Sequence, residues 1–233
     1  TVLLWYRVLA NHFDVPLVII DTPFLYRDMP DHAVDFVKKQ LEEAIEVAER
    51  VAGRSIDMRR LRQVTQNAHD GVALWNEVML RGAHHPAPIT AFDEFIHMAP
   101  IVEMRGHEFT VEYYRMLLAE LDDRIDKGIG ALKHERKRVI WDNLPVWYRV
   151  RWLSEKLAAS GVAMVASTYT NAWGELADLI DPSDPIGSGA RTYLSPILNQ
   201  STGYKLNTMR EMVSRYSADG VILHSDRSCK PYS

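Results

Sequence analysis

Apolar residues recur along most of this chain at helical spacing, and in a few short stretches they run without interruption. Ala33, Val34, Val37, Leu41, Ala44, Ile45 and Ala48 fall mostly three or four residues apart, so residues 32–52 predict a helix with one apolar face. Asp31 is placed to cap its start and Gly53 to stop it. Leu61, Val64, Ala68, Val72, Leu74, Trp75 and Val78 predict a second long helix from Asp57 to about Arg81. Helical patterns return at residues 90–103 and 110–127, the latter opened by Thr110-x-x-Tyr113 and closed by Gly128.

The uninterrupted runs are short and rich in β-branched residues. Val15-Pro-Leu-Val-Ile-Ile20 predicts a strand buried on both faces of a parallel sheet. Arg138-Val-Ile-Trp141, Val162-Ala-Met-Val-Ala166 and Gly220-Val-Ile-Leu223 predict three more. Helical patterns at 147–160, 189–200 and 204–217 separate them. Strand and helix in alternation predict an α/β fold, a doubly wound parallel sheet. The expected layout is the end of a first α/β domain over residues 1–30, a helical connecting segment over 31–135, and a second α/β domain over 136–233. The chain opens as if inside a helix and stops where a βα unit would continue, so it is expected to be the middle of a longer protein.

Composition narrows the class. Hydrophobic residues make up 47% and charged ones 25%, as in a soluble globular protein with a real core. A formal net charge of −4 gives no electrostatic reason to expect nucleic acid or an anionic membrane as partner. The one cysteine excludes an intrachain disulfide and suits a reducing, cytoplasmic setting. No apolar stretch approaches the roughly 18 residues that span a bilayer.

Several motifs fall away on inspection. Gly187-Ser-Gly189-Ala-Arg-Thr192 has two glycines of a dinucleotide fingerprint, but Thr192 replaces the third and no strand precedes it. No phosphate loop or nucleophile elbow is present. His84 and His85 are adjacent, hence about 100° apart on a helix, and read as a helix-end loop. Asp122-Asp123 and the run from Lys133 to Arg138 read as solvated helix faces.

What remains is a set of strand ends. In open α/β sheets ligands bind in the crevice beyond the carboxyl ends of the strands. Asp142 and Asn143 follow the first of the three later strands, Ser167-Thr-Tyr-Thr-Asn171 the second, and His224 to Cys229 the third. Parallel strands would bring Asn143, Tyr169 and His224 to one crevice, with Trp141, Trp147 and Tyr169 as aromatic walls; core packing explains the tryptophans equally well. Arg227 and Lys230 flank Cys229, and nearby positive charge favours the thiolate that attacks or ligates metal. A buried, inert thiol is the other reading of the same cysteine.

Arg138-Val-Ile-Trp-Asp-Asn-Leu-Pro-Val-Trp-Tyr148 and His224-Ser-Asp-Arg-Ser-Cys-Lys-Pro-Tyr-Ser233 resemble the 2-hydroxyacyl-CoA dehydratase/benzoyl-CoA reductase family, as does Trp5 to Pro23. The resemblance implies two flavodoxin-like domains joined by helices. It also implies a [4Fe–4S] cluster held by three cysteines, with Cys229 as metal ligand and the other two upstream of Thr1. Ser228 and Lys230 would then lie around the cluster. A homologous second subunit forming a heterodimer, an ATP-hydrolysing iron–sulfur activator and an acyl-CoA substrate are implied as partners. Two activities follow: reduction of the aromatic ring of benzoyl-CoA, towards which the aromatic strand ends lean, or dehydration of an (R)-2-hydroxyacyl-CoA through a ketyl radical. A non-catalytic interaction subunit that keeps the fold is the alternative from a different class.

Overall fold

The computed structural model describes residues 2–225. Helix α1 (Val2–Phe13) comes first, followed by an extended segment and then α2 (Asp31–Ala52) and α3 (Met58–Arg81). Pro30, not Asp31, occupies the cap position of α2, so Asp31 sits in the first turn, where its charge favours the helix dipole. Gly53 ends that helix in the left-handed conformation, at φ 64°, which a residue without Cβ adopts freely. Asp57 caps α3 by accepting from the backbone N–H groups of Arg59 and Arg60 at 2.9 and 3.2 Å.

The helical pattern over 90–103 is two helices, α4 (Ala91–His97) and α5 (Ala99–Glu103). Pro100 has no N–H to give to an unbroken helix. The buried Tyr114 hydroxyl stitches the break, donating to the His97 carbonyl at 3.0 Å and accepting from Ile101 N at 3.1 Å. Tyr114 belongs to α6 (Glu108–Asp126), which starts two residues before Thr110 and packs along α3. Val72, Trp75, Val78 and Met79 of α3 meet Tyr114, Leu118 and Leu121 there, so the apolar stripe read in α3 is core.

Three parallel strands form the sheet: β1 (Lys137–Asp142), β2 (Val162–Ser167) and β3 (Gly220–Leu223), in the order β2-β1-β3. Ile140 aligns with Ala166 and with Val221, and Trp141 with Ser167 and Ile222. Both faces are covered, which is why the strands read as unbroken apolar runs. One face puts Val139, Trp141, Met164 and Ile222 against Phe92 and Phe95 of α4 and against Leu153 and Leu157 of α7 (Val150–Ala159). The other puts Ile140, Ala163, Val165 and Val221 against Met212 and Tyr216. A short α8 (Thr168–Asn171) leaves β2, and α9 (Pro185–Leu194) and α10 (Thr202–Arg215) lead to β3. The fold is therefore α/β, a parallel sheet flanked by helices, consistent with the flavodoxin-like class expected.

Three sequence expectations need correction. Val15 to Ile20 is extended but forms no strand, because no described strand lies beside it; the first parallel bridge in this region is Leu25 to Gln200. The helix expected over 189–200 runs from Pro185 to Leu194. Pro185 starts it early and Pro196 forbids its continuation, so Gly187 and Gly189 are interior to a helix. The charged run from Lys133 to Arg138 is not a solvated helix face: Arg138 lies in β1 and is 4% exposed.

One close approach sets how α3 meets the sheet. A Cβ at Gly82, which follows α3, would stand 2.5 Å from the Val165 carbonyl oxygen, so only glycine lets this helix end reach β2.

Candidate functional site

Each strand of the sheet ends on polar residues at the same edge, and hydrogen bonds join all three ends. Asn143, just past β1, is 3% exposed and has φ 85°. Asparagine tolerates the left-handed region better than most residues, because its short amide bonds locally. Its side-chain oxygen accepts from Leu144 N at 2.7 Å. Its amide nitrogen donates to the His224 carbonyl at 2.7 Å, and its backbone N–H to Thr168 Oγ1 at 3.0 Å. The Thr168 hydroxyl donates in turn to Asp142 Oδ1 at 2.8 Å. One asparagine thus ties the end of β1 to the ends of β2 and β3.

His224 is fixed from a second side. The Leu144 carbonyl accepts from His224 Nδ1 at 2.7 Å and from Trp141 Nε1 at 3.0 Å. A carbonyl cannot donate, so Nδ1 carries the proton, and Nε2 of the neutral ring is left as an acceptor. The imidazole also lies against the Trp141 indole, with centroids 5.3 Å apart.

These groups edge a cleft of about 400 Å³, lined by Asp142, Asn143, Thr168, His224 and Ser225. Lys205 and Met209 of α10, together with Leu198, supply the opposite wall. The volume suits a small ligand or one end of a larger one. Mixed polar and apolar walls suit an amphiphilic one.

Asn143 and His224, both expected at the crevice, do meet there. Tyr169 does not line this cleft. It lies between Phe95 and Trp147, at centroid distances of 6.3 and 6.2 Å, and edges a neighbouring cleft of about 550 Å³ that shares Ile197 and Leu198 with the first. Burial pushes the Tyr169 phenol above its ordinary pKa, so it stays protonated at neutral pH. Of the expected aromatic walls, Trp141 is core, 4% exposed, whereas Trp147 is half exposed. Ser228, Cys229 and Lys230 lie outside the described residues.

Sequence reasoning missed Thr168 as the link between the ends of β1 and β2, and it missed Lys205 and Arg105. Thr168 stood in a polar stretch whose order gives no hint of which hydroxyl turns inward. Lys205 and Arg105 carry no local signal, because only tertiary packing brings them to the clefts.

The described donors do not fit a metal cluster. Among the described residues no three His, Cys, Asp or Glu side chains come together to hold a metal ion. The groups at the strand ends are amide, hydroxyl, imidazole and carboxylate, whereas iron–sulfur clusters take thiolates.

Asn143→Ala is expected to cost about 2–4 kcal/mol, combining left-handed strain with the loss of buried hydrogen bonds. Asn143→Gly relieves the strain alone and should recover about 1 kcal/mol of that. Urea denaturation of both variants checks this, and a glycine variant as stable as wild type would show that the amide bonds carry nothing.

The family model described as 2-hydroxyglutaryl-CoA dehydratase, D-component, matches residues 1–233. The (R)-2-hydroxyisocaproyl-CoA dehydratase alpha subunit of Clostridioides difficile is 30% identical over 98% of this chain and 56% of its own length. The (R)-2-hydroxyglutaryl-CoA dehydratase subunit alpha of Acidaminococcus fermentans is 29% identical over 98% of this chain and 47% of its own. A benzoyl-CoA reductase subunit of Thauera aromatica is 30% identical over 100% of this chain and 57% of its own. The chain thus spans about half the length of these curated relatives. Among the described residues no helix is long and apolar enough to cross a membrane. With a family match along its whole length and the expected parallel sheet beneath it, this chain belongs to the 2-hydroxyglutaryl-CoA dehydratase D-component family, which takes in 2-hydroxyacyl-CoA dehydratase and benzoyl-CoA reductase subunits.

Proposed function

We propose that this chain is part of one subunit of a cytoplasmic, ATP-dependent radical acyl-CoA enzyme, and that its reaction is the dehydration of an (R)-2-hydroxyacyl-CoA. The observation that carries the reading is the strand-end cleft, lined by His224 and Ser225, which precede Cys229 closely in the sequence. Cys229 is the proposed ligand of a [4Fe–4S] cluster, with its two companion cysteines elsewhere in the full-length protein. When bound, such a cluster supplies low-potential electrons one at a time. The residues of this chain have a separate task. Asn143 and Thr168 hold the three strand ends in register, Leu198 and Met209 shield the cleft from water, and His224 offers Nε2 to accept a proton.

Dehydration is preferred over ring reduction for a structural reason. Aromatic strand ends argue for a flat aromatic substrate only if they face it, and Trp141 packs into the core with Phe92, Phe95 and Met164 instead. Ring reduction keeps one supporting observation, the Trp147–Phe95–Tyr169 cluster beside the second cleft. A homologous partner subunit and an ATP-hydrolysing activator complete the proposed assembly; two of the relatives are named alpha subunits, and the third is likewise named as one subunit of its reductase.

The test uses full-length protein and partner, purified without oxygen and supplied with activator and ATP. Formation of an enoyl-CoA from an (R)-2-hydroxyacyl-CoA, with benzoyl-CoA unchanged, is the expected result; a cyclic diene from benzoyl-CoA would reverse the choice. Cys229→Ala is expected to lose cluster iron, sulfide and turnover together. A variant that kept all three would falsify the ligand assignment.

A further inference from the structure

The second cleft holds a cation without a counter-charge among the described residues. Arg105, in the turn between α5 and α6, lines it together with Val102, Tyr169, Trp173 and Tyr193. The guanidinium lies over the Trp173 ring, 5.1 Å from its centroid. Its Nε donates to the Ile101 carbonyl at 3.2 Å, and the four terminal N–H groups make no hydrogen bond to any described residue. Among the described residues no carboxylate pairs with it, whereas Arg81, Arg124, Arg138 and Arg191, the other described guanidiniums that are buried or half-buried, each hold one. Burial lowers the Arg105 pKa, yet arginine stays charged at any physiological pH.

An inward-turned cation of this kind is costly unless an anion meets it. One fork of parallel N–H groups matches one carboxylate, held by two hydrogen bonds. A pyrophosphate or phosphate cluster would call for more positive charge than the described residues bring to this cleft. Apart from Thr192 the remaining walls are apolar and aromatic, and about 550 Å³ is room for a small molecule. We infer that this cleft is a binding site for a small carboxylate with an aromatic or branched apolar body, with Arg105 clamping the carboxylate and Trp173, Tyr193 and Leu176 packing against the body. The site stands on its own geometry and does not rest on the acyl-CoA reading. Only the source of the carboxylate touches that reading: a free acid, or the distal carboxylate of a dicarboxylic acyl-CoA.

The experiment is isothermal titration calorimetry of the full-length protein with its partner subunit, using 3-phenylpropanoate and its uncharged amide. The acid is expected to bind at least tenfold more tightly than the amide. Arg105→Gln should bring the acid down to the level of the amide and leave the amide unchanged, which also shows that the cleft is intact. Competition separates the two sources. Displacement of the acid by glutaryl-CoA but not by butyryl-CoA assigns the distal carboxylate, and displacement by neither assigns a free acid. Equal affinity of acid and amide for the wild-type protein overturns the site whatever any variant does. So does failure of the acid to bind at millimolar concentration, which would mean that Arg105 is already paired within the full-length assembly. Neither result depends on turnover of any acyl-CoA.

Discussion

Arg138→Met is expected to destabilise the protein by about 4 kcal/mol or more, the cost of leaving a buried carboxylate and several carbonyls without their donor. Arg138 is 4% exposed, and its guanidinium is the junction of four segments. It donates to the Gly82 carbonyl at 2.7 Å, the His84 carbonyl at 3.0 Å and the Tyr216 carbonyl at 2.8 Å. It also pairs with Glu135, whose other oxygen accepts from Ala87 N at 2.7 Å. The Arg138 backbone N–H meanwhile donates to Asp219 at 2.8 Å. One side chain therefore joins β1 to the end of α3, the loop after it and the turn before β3.

Removing this side chain strands three carbonyls and the Glu135 carboxylate in a place that water reaches poorly. Lysine keeps the charge, but a single ammonium cannot span the acceptors that the planar fork reaches. Arg138→Lys should therefore fall between methionine and wild type. Urea denaturation of the three proteins gives the order, and a methionine variant within about 1 kcal/mol of wild type would contradict the role given to the side chain. Arg138 sits at the amino end of β1, at the opposite end of the strand from Asn143. Its loss is expected to lower stability while leaving the cleft chemistry intact in whatever protein stays folded.

This residue also marks where the sequence stops being legible. The long helices and the three strands are written in periodicity, since Val72, Trp75 and Val78 face the core along the second half of α3, and Val139 and Trp141 face it along β1. Arg138 gives no such signal: a charged residue beside Lys133 and Lys137 reads as solvent-facing until α3 and α10 are packed around it. The run from Val15 to Ile20 fails for the complementary reason. Its composition suits a buried strand, but a strand exists only where a neighbour completes its hydrogen bonds. The site divides in the same way. Asn143 and His224 follow from strand-end position alone, because the sheet is parallel and its carboxyl ends must share an edge. Arg105 was out of reach, since its environment is assembled from α5, α8 and α9.

Stability should fall as pH rises from about 5 to about 8, and Glu94→Gln should abolish most of that fall. Glu94, on α4, is 1% exposed, and burial pushes its carboxyl from 4.5 up to about 8. The folded state therefore holds a proton that the unfolded chain gives up near 4.5. Between the two values the unfolded state binds fewer protons, so each rise in pH favours unfolding, and the loss levels off above about 8. The full shift corresponds to a loss on the order of 5 kcal/mol. Geometry agrees with a neutral acid. Thr170 Oγ1 lies 2.6 Å from Glu94 Oε2 and 3.1 Å from the Ser167 carbonyl, and its one proton cannot serve both. A protonated Glu94 donates to Thr170 Oγ1, which frees the threonine proton for Ser167. The glutamine amide can donate in the same way, so the variant should match wild type near pH 5 and exceed its stability at pH 8. His97 is pushed down by burial and acts with the opposite sign below its ordinary 6.5, but it is common to both proteins and cancels in their difference. Urea midpoints at pH 5, 6, 7 and 8 give the comparison, and parallel profiles for the two proteins would show that Glu94 is ionised in the fold. Because the Thr170 carbonyl also accepts from Trp75 Nε1 at 3.2 Å, this proton helps hold α8 in place, and with it Tyr169 at the edge of the second cleft.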